Sequence, residues 1–269
     1  MFRNAGRVAT IVVSAALTPL LIAPTAANAA SDSPSCSAPS KMTRLDHAIN
    51  RTAARISAGR SIRIVALGSS STAGAGATSP ANSYPARLET ELRQRLPNAD
   101  IVVLNRGIGG EDVREMLARL ESSVLAEQPD LVLWQVGTNA IVDEEKPSEE
   151  GLLVRKGLAR LRAEGVDVVL IDPQYVPKVI AKPGATTMVR VLHNAARDEK
   201  IGVFRRFAIM GHWRQAMRIP FGQFTSRDGL HINDWSYGCI AELLATALLD
   251  ATITAVPTAS KPTSDRTPS

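Results

Sequence analysis

The chain has 269 residues, 45% hydrophobic and 21% charged, with a formal net charge of +5 and two cysteines. That length allows one α/β domain with a sizeable core. The densest basic pairs, Arg155-Lys156 and Arg205-Arg206, lack the interleaved aromatics of a nucleic-acid binder, and no Cys-x-x-Cys or His/Cys cluster points to a metal.

Residues 1–30 read as a secretory signal: Arg3 and Arg7, an apolar run from Val8 to Ala23, then the small residues Ala27-Asn28-Ala29. A membrane-spanning helix needs about 20 apolar residues, and Pro19 interrupts this shorter run. Cleavage is therefore expected, giving a periplasmic or secreted protein with no stable membrane anchor. Residues 31–40 read as a polar linker, residues 41–255 as the folded domain and residues 256–269, rich in Pro, Ser, Thr and Lys, as a disordered tail.

Within the domain, Leu45, Ala48, Ile49, Ala53 and Ile56 recur at helical spacing and predict a helix over 42–57. Short apolar runs at 62–67, 101–104, 131–136 and 166–171 predict strands, with 201–204 as a fifth. Helical patterns separate them at 84–95, 113–127, 149–162 and 187–199, and others follow at 207–218 and 234–251. Strands alternating with helices imply a parallel sheet covered on both faces. Cys36 and Cys239 both lie in the exported part, where oxidation is favoured. A bridge between them would close a loop of about 200 residues; two free thiols are the alternative.

Open α/β sheets carry their chemistry beyond the carboxyl ends of the strands. Three such segments are rich in Gly, Ser, Thr or Asn: Gly68–Gly76, Asn105–Gly110 and Gly137–Ala140. The first is neither a phosphate loop, since no Gly-Lys-Ser/Thr ends it, nor a dinucleotide fingerprint, since Ser79 stands where the third glycine belongs. A serine there would sit near a helix N-terminus, where backbone N–H groups can hold an anion. Asn139 could donate its amide to a developing oxyanion. Late in the chain, Asp228-Gly229-Leu230-His231 places an acid three residues before a histidine, close enough to fix its tautomer. His47, His193 and His212 fall in helical patterns and read as surface or packed residues. Trp213 and Trp235 could line a substrate site, although packing is the ordinary use of such side chains.

The order of these segments resembles the SGNH (GDSL-like) hydrolase family from about Ile62 to Leu249. Gly68-Ser69-Ser70-Ser71 resembles the Gly-Asp-Ser-Leu block, with Ser70 as nucleophile and Ser69 or Ser71 as alternatives; Gly107 is aligned with the glycine block, Asn139 with Gly-x-Asn-Asp, and Asp228 and His231 with Asp-x-x-His. The resemblance implies a three-layer α/β/α sandwich around a mostly parallel five-stranded sheet of flavodoxin-like type, a catalytic triad of Ser70, Asp228 and His231, and an oxyanion hole of Ser70, Gly107 and Asn139. It implies hydrolysis of a small-molecule or glycan ester, without metal or organic cofactor; small acyl esters such as acetylated saccharides are favoured. The alternatives are a lysophospholipase or thioesterase of the same family, and a non-catalytic carbohydrate-binding module on the same fold. Ser69 and Ala140 stand where the family has aspartates, which leaves the bracing of the oxyanion loop to other groups.

Overall fold

In a computed structural model that describes Met1, Phe2 and residues 34–254, the apolar runs become five strands: β1 (Ile62–Gly68), β2 (Ile101–Gly107), β3 (Leu131–Gln135), β4 (Asp167–Ile171) and β5 (Gly202–Phe204). The signal expected over residues 1–30, save its first two residues, and the tail expected over 256–269 lie outside the described residues. All the described secondary structure belongs to the unit that begins at Ser35.

The strands pair in the order β2-β1-β3-β4-β5, and every pairing is parallel. Val65, Ala66 and Leu67 of β1 and Leu131 to Trp134 of β3 are fully buried, as central parallel strands covered on both faces must be. Helices Tyr84–Arg95 and Asp234–Ile253 pack together on one side. Helices Pro147–Ala163 and Ala185–Asp198 form a second group. The result is the three-layer sandwich. The chain leaves β1 toward one edge and β3 toward the other, so the switch point of the sheet lies between these two strands.

One packing detail shows how the second group seats. A Cβ on Gly157, in the middle of its helix, would lie 2.2 Å from Cη2 of Trp134. Glycine there costs the helix roughly 0.5–1 kcal/mol, but it lets the helix close over a tryptophan that is 0% exposed, whose area makes it one of the largest contributors to a core.

Two helical expectations differ from the structure. The pattern at 42–57 is not one helix: after a short turn at Ser40–Thr43 the backbone becomes extended at Arg44, and only Asn50–Ser57 is helical. Leu45 and Ile49 are buried from an irregular, non-helical segment instead, and Leu45 and the His47 carbonyl lie against Gly202 of the edge strand β5. Arg205 fixes this segment by donating to the Arg44 carbonyl and pairing with Asp46. Covering the edge of the sheet outweighs local helix propensity. The pattern at 113–127 breaks at Arg119 and Val124 into Val113–Ala118, Leu120–Ser123 and a 3-10 turn at Leu125–Glu127. The break turns Arg119 toward the strand ends, where it donates to the Arg106 carbonyl and pairs with Glu111.

Cys36 and Cys239 form a disulfide. It ties the segment read as a linker to the last helix, and Trp213 Nε1 donates to the neighbouring Ser37 carbonyl.

Candidate active site

The three Gly/Ser/Asn-rich segments meet at the carboxyl end of the sheet, with the Asp228–His231 loop above them. Gly68 ends β1, and a Cβ there would meet Thr72 Oγ1 at 2.2 Å and Gln135 Oε1 at 2.8 Å. Only glycine lets the turn close this tightly. Ser69 then leads into a single helical turn, Ser70–Ala73, which ends at Gly74 in a left-handed conformation (φ 101°). Gln135, the last residue of β3, accepts from Ser69 N–H, Ser69 Oγ and Thr72 Oγ1. This buried amide braces the turn that carries Ser70, in which position 69 is a serine and not the aspartate of the resembling family.

The loop at 226–231 is closed by an antiparallel bridge between Thr225 and Ile232 and by Ser226 N–H donating to the His231 carbonyl. Gly229 makes the reversal at φ 69°. Gly76 lets the loop approach the segment that carries Ser70, since a Cβ there would lie 2.3 Å from the Ile232 carbonyl oxygen and 3.0 Å from His231 Cβ. The Tyr237 hydroxyl donates to the Ala75 carbonyl at 2.7 Å from the other side.

The result is a hydrogen-bonded line. Ser70 Oγ lies 3.0 Å from His231 Nε2, and His231 Nδ1 lies 2.5 Å from Asp228 Oδ2. With Nδ1 facing a carboxylate, the ring carries its proton there and Nε2 accepts from the serine hydroxyl. Asp228 Oδ1 accepts from Leu230 N–H, His231 N–H and Ser226 Oγ. Partial desolvation opposes ionisation of Asp228, but these donors together with the His231 ring hold its carboxyl well below the usual carboxylate range. Ser69 and Ser71 are both buried, and their hydroxyls are engaged by Gln135 and Arg206. Of the three consecutive serines, only Ser70 faces the imidazole.

Gly107 departs from its expected place. Its N–H donates to Asn105 Oδ1 at 2.9 Å, and a Cβ on it would lie 2.2 Å from Ala73 N. Gly107 is therefore a packing glycine beneath the Ser70–Ala73 turn, and its amide is not free to receive an oxyanion. The double glycine two residues later comes nearer: a Cβ on Gly109 would lie 3.9 Å from Ser70 Cβ, and Gly110 turns the chain at φ 87°. The Ser70, Gly109 and Gly110 amides have no hydrogen-bond acceptor among the described residues. The pair was in view in the sequence; only the engagement of the Gly107 amide by Asn105 separates the three glycines. Asn139 lies in the helical turn Thr138–Val142 after β3, and one hydrogen of its amide is held by the Glu111 carbonyl at 2.8 Å. That bond orients the amide and leaves its second hydrogen available.

The remaining sequence candidates are structural or peripheral. Trp213 is fully buried against Phe224 and Trp235. His193 pairs with the buried Asp172 through Nε2 at 2.8 Å. Among the described residues no group of three or more His, Cys, Asp or Glu is arranged to hold a metal.

A parallel five-stranded sheet bearing a serine after β1 and an Asp-x-x-His loop before the last helix defines an SGNH hydrolase. A family model of non-GDSL lipase-like proteins matches residues 35–254, and the chain belongs to that family. No curated protein matches the chain. Solved structures with the same fold include a two-domain esterase active on acetylated mannans, co-crystallised with mannopentaose (22% identity, 80% of this chain and 57% of that one, TM-score 0.63). They also include an acetyl xylan esterase, AlAXEase (17% identity, 70% of this chain and 100% of that one, TM-score 0.58), and a lipase/acylhydrolase from Enterococcus faecalis (23% identity, 69% of this chain and 94% of that one, TM-score 0.56). The chain thus spans less than two thirds of the two-domain esterase.

Proposed function

We propose that this protein is an exported serine esterase that transfers the acyl group of small esters, such as acetylated saccharides, to water. The observation that carries the reading is the continuous line from Ser70 Oγ through His231 to Asp228. In the proposed cycle His231 Nε2 takes the Ser70 proton as Oγ attacks the ester carbonyl, and Asp228 stabilises the imidazolium that forms. The imidazolium then protonates the leaving alcohol. Water, deprotonated by the same nitrogen, releases the acid and restores the serine. The Ser70 amide and the free Asn139 hydrogen would stabilise the tetrahedral oxyanion, with the Gly109 or Gly110 amide in the place assigned to Gly107. Each such donor is worth roughly 2.7–4 kcal/mol of transition-state stabilisation.

The choice of acetylated saccharides draws on the relatives described as esterases of acetylated mannan and of acetyl xylan. Export rests on the N-terminal pattern and agrees with a disulfide between Cys36 and Cys239. The test is treatment with a fluorophosphonate probe, followed by peptide mapping, alongside hydrolysis of a chromogenic acetate. The expected result is a single adduct on Ser70 and loss of hydrolysis in Ser70→Ala. A folded, oxidised protein that gains no adduct on any serine would refute the esterase.

A further inference from the structure

Beneath the site lies a buried cation that the proposed cycle does not use. Arg206 is 0% exposed at the start of the helix after β5. Its fork donates in three directions: Nε to the Asp172 carbonyl at 3.0 Å, Nη1 to Ser71 Oγ at 3.0 Å and Nη2 to Gln174 Oε1 at 2.8 Å. The nearby Asp172 carboxylate does not pair with it directly, being occupied by His193 Nε2 and the Phe207 amide. Gln174, 1% exposed, is the second half of the arrangement. Its Oε1 also accepts from Thr138 Oγ1 at 3.0 Å, and its Nε2 donates to the Leu230 carbonyl at 3.2 Å.

The partners have a pattern. Ser71 adjoins the nucleophile Ser70, Thr138 adjoins Asn139, and Leu230 adjoins His231. The three segments come from β1, β3 and the late loop, and no backbone pairing joins the loop to either strand. A buried cation without a contacting carboxylate is costly, and apolar residues of similar volume commonly replace buried ions at no loss of stability. What an apolar residue cannot supply is a rigid planar fork of donors at fixed angles.

We propose that Arg206 and Gln174 form a buried brace that sets the mutual position of Ser70, Asn139 and His231, making both of them positioning residues for ester hydrolysis. The inference rests on the esterase reading, since it assigns the brace to that reaction. Neither side chain touches the reacting atoms, so its effect falls on the alignment of the groups that do. Misplacement by about 1 Å can lower a rate on the order of 10²-fold.

The test compares kcat and KM on a chromogenic acetate, per site titrated with fluorophosphonate, for wild type, Gln174→Met, Gln174→Glu and Ser71→Ala. Gln174→Met keeps the volume and removes all three bonds; kcat should fall about tenfold or more with KM within about threefold. Gln174→Glu keeps the acceptor for Arg206 and Thr138 but loses the donor to Leu230, and should fall between wild type and Gln174→Met. Ser71→Ala removes one hydroxyl, is the mildest change, and decides the matter if Gln174→Met does not fold; its kcat should also fall with KM held. A merely structural brace would lower the melting temperature and leave kcat per titrated site unchanged. That outcome, with wild-type Ser70 labelled and active, would overturn the positioning role alone. A wild-type protein that neither labels nor hydrolyses acetate would overturn the esterase reading and the brace together.

Discussion

Glu150 is the group whose titration should be most visible in stability. It is 1% exposed in the first turns of helix Pro147–Ala163, and both of its carboxyl oxygens lack a hydrogen-bond partner among the described residues. It lies beside Asp112, Gln135, Thr138 and Asn139. Burial, reinforced by the charges of Glu145 and Asp112 and only partly offset by Arg114, pushes its carboxyl up to about 7. The folded protein therefore binds this proton more tightly than the unfolded chain, where the group titrates near 4.5. The contribution of Glu150 to stability is fully present below about pH 4.5 and is lost as the pH rises through 7. At roughly 1.4 kcal/mol per pH unit the full loss is about 3 kcal/mol, of which about 2–3 kcal/mol falls between pH 5 and 8. Glu150→Gln keeps the shape and cannot ionise. Urea unfolding followed by tryptophan fluorescence should show the variant gaining about 2–3 kcal/mol on wild type between pH 5 and pH 8. Parallel pH profiles for the two proteins would refute the reasoning, because they would mean that Glu150 finds a partner or water when it ionises.

Reduction of Cys36–Cys239, which are 203 residues apart in sequence, should destabilise the protein by at most about 5 kcal/mol on chain-entropy grounds. For a domain of this size that is a fall in melting temperature of up to roughly 10–20 °C; an unchanged melt after reduction confirmed by thiol titration would contradict the entropic argument. Gly107→Ala places a methyl 2.2 Å from Ala73 N and 2.7 Å from the Thr72 carbonyl carbon. It should cost about 1–3 kcal/mol in denaturant unfolding and, on the proposed mechanism, lower kcat by shifting the Ser70 turn. Gly109→Ala meets only an ordinary contact at 3.9 Å and should remain within about 0.5 kcal/mol of wild type; equal losses in the two variants would show that packing at 107 is not tight.

The sheet was legible because its strands are short apolar runs separated by helical periods, and burial on both faces leaves that pattern in the residues themselves. The Asp228–His231 pair was legible for a related reason: three residues of spacing let one loop bring both side chains together. Positions 42–57 misled because apolar residues at helical spacing are also compatible with an irregular segment whose side chains are buried by a sheet edge. Gly107 misled because a glycine after a strand looks the same whether its amide faces a substrate or an asparagine two residues away.

Arg206, Gln174 and Glu150 carried no sequence signal. Arg205-Arg206 reads as a solvated basic pair, and Glu150 only as one position of the helical pattern at 149–162. What the sequence by itself determined was the order of strands and helices, the nature of the groups at the strand ends, and hence the family and the class of chemistry. Which glycine amides are free, which serine faces the imidazole, and which charges are buried beneath the site were decided only by tertiary structure. Those outcomes depend on contacts between residues far apart in the chain, such as Ser71 with Arg206 and Gln174 with Leu230, and no local pattern encodes them.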